Sequence, residues 1–173
     1  SVDEAGTYNS GIDSGLLLND VDVDGDDLQI IVIDQPMYGA LTVNTDQSIS
    51  YVHDGSETAS DMFTYVASDG ELSSNIAEVQ ISITAVNDAP VIIYAASFET
   101  FEEVSFDILL TDFIVEDPDS EPGSFILEIS DGDNYTSLAI TDGYTVTPAD
   151  NFSGQLSIAA SISDGISSSD VVE

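Results

Sequence analysis

Two short acidic runs carry the spacing best suited to chemistry. Asp22 and Asp24 stand two residues apart, as do Asp117 and Asp119, the latter pair with Pro118 between them. In a loop, D-x-D spacing lets both carboxylates turn toward one ion, and Ca²⁺ takes about six to eight oxygen ligands. The same spacing also suits a plain polar turn, because Asp, Asn and Gly bond their own backbone. Composition favours the ion. Lys plus Arg is 0 and Asp plus Glu is 34, giving a formal net charge of −34. Two carboxylates about 4 Å apart repel by about 4 kcal/mol at an effective dielectric of about 20. Three converging groups would cost on the order of 12 kcal/mol, against a whole-domain stability of about 5–15 kcal/mol. With no Lys or Arg, such a cluster must be metallated, protonated or splayed apart. An EF-hand is excluded despite Asp22, Asp24 and Asp26: Gly25 falls at loop position 4 instead of 6, Ile33 at position 12, and no helical pattern flanks them.

The same composition removes several function classes. Nucleic acid and anionic membrane surfaces need basic patches, and this chain has none. There is one His, no Cys nucleophile and no Lys for a Schiff base, and no G-x-S-x-G elbow. Asp13-Ser14-Gly15 has the form of an aspartic-protease signature, but that chemistry needs two such aspartates sharing a proton and no second copy exists. Carboxylate pairs for a glycosidase abound, yet Trp, the usual sugar platform, is absent. His53, beside Asp54-Gly55, reads as a surface turn residue at a strand end. The chain therefore reads as a non-enzyme.

No apolar run approaches the roughly 18 residues of a membrane span, and no basic region followed by an apolar stretch marks a signal peptide. The expectation is an internal part of a longer exported chain. Without Cys, a small extracellular domain needs another staple, for which a metal is suited.

The elements that must position the acids repeat. Asp69-Gly70 recurs as Asp164-Gly165 (164 − 69 = 95). Asp22 and Asp24 recur as Asp117 and Asp119, Ser73-Ser74 as Ser168-Ser169, and Phe63, Tyr65, Ala67 as Ile158, Ala160, Ile162, all at +95. Val79, Ile81 and Ile83 alternate with polar residues in Ala77 to Ala85, the period of a strand with one face buried. Leu28 to Ile33, Met62 to Ala67, Ser124 to Ser130, Tyr144 to Thr147 and Gln155 to Ser163 read as further strands between Asp/Gly turns. Many short strands without helical periodicity predict an all-β chain of antiparallel sandwiches. Phe63, Tyr65, Phe125 and Phe152 are core candidates; Tyr38, Tyr94 and Tyr135 sit in loop or linker contexts where they could stack on sugars. Asn134-Tyr135-Thr136 and Asn151-Phe152-Ser153 read as turns. Pro90 breaks the pattern after Val86-Asn87-Asp88-Ala89.

The runs AVNDAPVI (Ala85 to Ile92), NDVDVDGDDL (Asn19 to Leu28), EDPDSEPG (Glu116 to Gly123) and Tyr144 to Gly165, ending in SDG, resemble the cadherin-like and Ig-like tandem repeats of large bacterial adhesins and RTX-type surface proteins. The resemblance covers nearly the whole chain. It implies two tandem Greek-key β-sandwich domains: residues 1–86, lacking the leading strand; a linker at 87–90; and residues 91–173, with the last strand truncated. It further implies Ca²⁺ at or near the joint. Asp69 and Asp164 would lie at the same end as the D-x-D loops. Glu102 and Glu103 occupy the place of the family's ligating Glu, with Glu4 the nearest equivalent in the first repeat. Asn87 and Asp88 would add linker oxygens. The implied role is a calcium-stabilised structural and adhesive extender at the bacterial cell surface, its partners being calcium ions and neighbouring repeats. Two alternatives stand beside it: a module binding polysaccharide or another copy of itself, or an accessory domain of a secreted hydrolase.

Overall fold

The computed structural model describes residues 1–11, 15–120 and 123–173; Asp13 and Ser14 of the protease-like signature lie outside the described residues. The chain forms two compact units, Ser1–Val86 and Asn87–Glu173.

Unit 1 is a seven-stranded sandwich. Its strands are β1 (Val2–Asp3), β2 (Thr7–Asn9), β3 (Gln29–Asp34), β4 (Gly39–Val43), β5 (Ile49–His53), β6 (Ser60–Ser68) and β7 (Ala77–Thr84). One sheet runs β1-β7-β6-β3 and the other β2-β5-β4. This order is a Greek key, because β7 returns beside β1 while β2, β4 and β5 form the facing sheet. The pairings are antiparallel apart from β1 with β7, which is parallel. Period-2 patterning makes β7 a one-faced strand: Val79, Ile81 and Ile83 turn inward, while Glu78, Gln80, Ser82 and Thr84 are exposed. Phe63 and Tyr51, both fully buried, anchor the core with Ile30, Ile49 and Tyr65.

Unit 2 contains β8 (Val91–Ala95), β9 (Phe106–Leu109), β10 (Phe113–Glu116), β11 (Ile126–Ile129), β12 (Tyr135–Ile140), β13 (Gly143–Pro148) and β14 (Ala160–Ser163), with one 3₁₀ turn at Leu110–Asp112. Its sheets are β12-β13-β9, β11-β14 and the pair β10-β8. Its core gathers Ile108, Leu127, Ile129, Tyr135, Val146, Ala160 and Ile162.

Four expectations need correction. The stretch Gln155 to Ser163 is strand only from Ala160. In unit 1 the matching strand β6 is paired along both edges by β3 and β7, whereas residues 155–159 have no strand to pair with among the described residues. The +95 offset also slips. Gln29 pairs with Ser68, whereas Ser163, at +95 from Ser68, pairs with Ile126, which is +97 from Gln29. Two extra residues therefore precede β11. Tyr135, expected in a loop, opens β12 and is 5% exposed. A Cβ on Gly132 would sit 2.2 Å from its ring, so glycine makes room for the tyrosine. His53 does end a strand but is buried at 3% exposure. Its Nδ1 accepts the amides of Ala5 (3.2 Å) and Gly55 (3.3 Å), which places the proton on Nε2 toward Thr58 Oγ1 at 3.1 Å. Its polar atoms are satisfied inside the fold, which is why a lone His could leave the surface.

Candidate metal centre

In unit 2 the chain ends of separate strands meet through side-chain hydrogen bonds. The pairing of Ile126 with Ser163 puts the loop before β11 and the turn after β14 at one end of the sheet. In that loop Asp117 Oδ1 accepts the amides of Asp119 (2.9 Å) and Ser120 (3.0 Å), an Asx turn that Asp forms readily. Its other oxygen, Oδ2, is buried without a hydrogen-bond partner. Asp119 Oδ2 accepts the Asp88 amide at 2.6 Å. In the turn, Asp164 Oδ1 accepts the amides of Ile166 (2.6 Å) and Ser167 (2.7 Å), and Asp164 Oδ2 accepts from Asn87 Nδ2 at 2.8 Å. Asn87 Nδ2 also reaches Ser167 Oγ at 2.9 Å, and Ser167 Oγ donates to the Asp88 carbonyl at 3.2 Å. The Ser167 amide, then the Asn87 side chain, then the Ile166 amide pull the Asp164 carboxyl down to about 2.

Asn87, the Asp88 main chain, Asp119 and Asp164 are thus linked by hydrogen bonds in unit 2, and Asp117 closes the turn that holds Asp119. These residues offer carboxylate, side-chain amide and main-chain oxygens, the hard donors that Ca²⁺ takes. An unpartnered buried carboxylate oxygen costs on the order of 1–3 kcal/mol or more. The orphaned Asp117 Oδ2 therefore fits a cation as its partner, and no cationic side chain other than His53 exists in the sequence to serve instead.

Unit 1 carries two half-built counterparts. Asp22 Oδ1 collects the amides of Asp24 (2.8 Å), Gly25 (2.8 Å) and Asp26 (3.1 Å), so the D-x-D loop is again an Asx turn. Asp69 Oδ1 accepts Leu72 (2.6 Å) and Glu71 (2.7 Å), and these two amides, Leu72 first, lower its carboxyl below the ordinary range. The pairing of Gln29 with Ser68 puts both loops at one end of the sheet. A groove of about 480 Å³ there is lined by Asp20, Asp22, Asp26, Asp27 and Asp46. Asp22 and Asp69 each close their own turn through backbone amides of the same loop.

Glu4 is the other feature of unit 1. It is 9% exposed, its Oε2 accepts the Val86 amide at 3.2 Å, and its Oε1 is buried without a partner. The Glu57 carboxylate lies within 4.8 Å of it. Glu57 escaped the sequence reading, since a lone exposed Glu carries no motif. Glu102 and Glu103 stand apart from these clusters: both are exposed, in a turn where Val104 N returns to Phe101 O and Glu103 takes φ 61°. The residue at +95 from Glu4 is Glu99, a signal present in the offset itself.

The sequence matches the family model of the bacterial cadherin-like domain over residues 1–85 and that of the bacterial Ig domain over residues 87–173. The chain belongs to these families of cadherin-like and Ig-like modules, which are typically non-catalytic. No curated protein sequence matches it. Among solved structures it is similar to a variant endo-fucoidan hydrolase of glycoside hydrolase family 107, with 21% identity and a TM-score of 0.44 over 99% of this chain and 26% of that one. It is also similar to the extracellular cadherin domains 1–5 of protocadherin gamma B2, with 13% identity and a TM-score of 0.46 over 84% of this chain and 31% of that one. The human desmocollin-1 ectodomain matches at 9% identity and a TM-score of 0.37, over 80% of this chain and 30% of that one. The chain thus spans about a quarter to a third of the length of these proteins.

Proposed function

We propose that this chain is a calcium-stabilised extracellular structural module of a large bacterial surface adhesin. The observation that carries the reading is the buried, unpartnered Asp117 Oδ2 in a chain without Lys or Arg. In unit 2, Asp117, Asp119, Asp164, Asn87 and Asp88 would hold the ion; in unit 1, Asp22, Asp24 and Asp69 offer a second set, and Glu4 with Glu57 a third. The bound cation supplies neutralisation, removing the mutual repulsion of the ligands. The chain's own hydrogen bonds pre-shape the loops, so little backbone ordering remains to be done on binding. Holding Asn87 and Asp88 against both acidic loops of unit 2 orders the residues that enter that module, which suits a spacer that must transmit position along a surface protein.

Calorimetric titration of the metal-free chain with Ca²⁺ tests the reading. Saturable binding with at least one ion per chain is expected, with the stoichiometry falling by one in an Asp117→Asn/Asp119→Asn/Asp164→Asn variant. Absence of saturable heat up to millimolar Ca²⁺, with Mg²⁺ no different, would remove the support.

A further inference from the structure

The turn after β14 carries a hydroxyl that its own closure does not use. Asp164 Oδ1 closes that turn on the amides of Ile166 (2.6 Å) and Ser167 (2.7 Å), and the Ser163 hydroxyl donates to the Ser167 carbonyl at 2.9 Å. Unit 1 builds the same turn after β6 with leucine at the matching position. There Asp69 Oδ1 accepts the amides of Glu71 and Leu72, and the Ser68 hydroxyl donates to the Leu72 carbonyl at 2.8 Å. The backbone at position 167 is therefore fixed without help from its side chain.

Ser167 Oγ instead serves the segment that opens unit 2. It accepts from Asn87 Nδ2 at 2.9 Å, and its own proton is within reach of the Asp88 carbonyl (3.2 Å) and Asp164 Oδ2 (3.1 Å). Asn87 Nδ2 also meets Asp164 Oδ2 at 2.8 Å and the Asp88 carbonyl at 2.7 Å. A carboxylate and a carbonyl can only accept, so the nitrogen of the Asn87 amide must face them and its Oδ1 must face away. The amide has two protons for three acceptors, and the hydroxyl closes the count. It takes one Asn87 proton and gives its own to whichever of the other two oxygens is left.

We propose that Ser167 is the positioning residue of the cation centre in unit 2, holding the Asn87 amide so that its Oδ1 stays available as an oxygen donor. The role rests on the calcium reading above and adds to it a residue that is not a ligand. The other side-chain partner of Asn87 in the turn is Asp164 Oδ2, an oxygen the cation itself would draw on. The hydroxyl is a tie that does not compete with the ion. Groups that orient metal ligands in this way account for about 10–100-fold in metal affinity. Leu72 at the matching place in unit 1 has no such group to offer, and it is 75% exposed.

The test compares Ser167→Ala and Ser167→Thr with the parent, each as the whole chain, by NMR. Because unit 1 forms this turn with leucine, both variants should fold, and unchanged backbone shifts in β11 and β14 verify it. In the metal-free protein, exchange of the Asn87 side-chain amide protons is expected to quicken severalfold in the Ala variant and to stay near the parent's in the Thr variant. Titration with Ca²⁺ is followed at Asn87 and Asp164, which reads this centre apart from unit 1. The midpoint should rise about tenfold in the Ala variant and return toward the parent's in the Thr variant. Where the parent binds Ca²⁺, an Ala variant with the parent's midpoint overturns the role of Ser167 and leaves the calcium reading standing. Unchanged exchange of the Asn87 amide protons in the Ala variant overturns the role as well. A parent that takes up no Ca²⁺ overturns the calcium reading, and this role with it.

Discussion

The Asn87 side chain donates to Asp164 across 77 positions of sequence at 2.8 Å, tying the entry of unit 2 to the turn that follows its last regular strand. The same carboxylate takes two backbone amides on its other oxygen. An aspartate so placed is stabilised as the anion, and its partner is a neutral amide that an incoming cation need not displace as a charge.

Removing that amide should be visible in the titration of a single group. In the metal-free protein, Asn87→Ala is expected to raise the Asp164 carboxyl from about 2 toward its ordinary 3.8, stopping short because the Ser167 and Ile166 amides still donate. The sign follows from linkage: a carboxyl lowered in the folded state adds stability that is present above pH 3.8 and is lost as pH falls toward 2. The variant should therefore lose acid resistance of unit 2 in that window. Carbon-13 shifts of the Asp164 carboxyl measure the midpoint directly; an unchanged midpoint means the hydrogen bond does not form in solution.

A buried carboxylate in unit 1 uses the same chemistry inside the core. Asp61, 5% exposed, accepts the amides of Met37 (2.9 Å), Tyr38 (2.9 Å) and Met62 (2.8 Å) and the Tyr51 hydroxyl (2.9 Å). Burial pushes its carboxyl up, but these four donors together outweigh burial and hold it below the ordinary range. Burial, with Asp61 next, pushes the Tyr51 hydroxyl up, so it stays a donor. Asp61→Ala leaves Tyr51 and two loop amides unsatisfied and should cost unit 1 roughly 3–5 kcal/mol. Asp61→Asn keeps one acceptor oxygen and should cost less. Chemical denaturation followed by Tyr fluorescence checks the order; an Ala variant as stable as the Asn variant would show that the donors find water instead.

Steric room is tested at Gly132. A Cβ there meets Tyr135 Cε1 at 2.2 Å, with two more ring atoms inside 3 Å. Gly132→Ala should push the Tyr135 ring off its place among Ile108, Leu127 and Val146 and cost about 1–3 kcal/mol. Tyr135→Leu combined with Gly132→Ala should recover part of the loss, because the smaller side chain vacates the contact. Equal stability of Gly132→Ala and the parent would mean the loop moves freely.

Much of this architecture was legible in the residues. The alternation of Val79, Ile81 and Ile83 foretold β7, and the recurrence of Asp-Gly after Ser68 and Ser163 foretold the matching turns. The D-x-D pairs foretold loops, and both became Asx turns. Other features depended on contacts between distant segments. Glu4 and Glu57 approach through the fold of unit 1 and share no local pattern. His53 and Tyr135 are polar-tipped residues beside turn sequences, and only their long-range partners, Ala5 for one and the core for the other, reveal that they are buried. Glu102 and Glu103 match the family's ligand position by resemblance, whereas the +95 offset from Glu4 falls on Glu99.

The strongest prediction concerns Asp117, because its two oxygens do different things. Oδ1 closes the Asx turn and Oδ2 is buried without a partner. Asp117→Asn keeps a turn-closing oxygen and removes the charge, so the metal-free fold should be as stable as the parent or more so, the local repulsion having been lowered. Calcium should then separate the two proteins. Saturation at about 100 times the dissociation constant adds about 2.7 kcal/mol. At about 4–8 °C per kcal/mol for a small domain, chelation should lower the parent's melting temperature by well over ~10 °C. The variant, already deprived of a ligand charge, should shift by only a small part of that. Differential scanning calorimetry of both proteins with and without chelator gives the four temperatures needed. An equal shift in parent and variant would remove Asp117 from the metal site, and no shift in either would mean that protonation or splaying, not an ion, relieves the acidic loops.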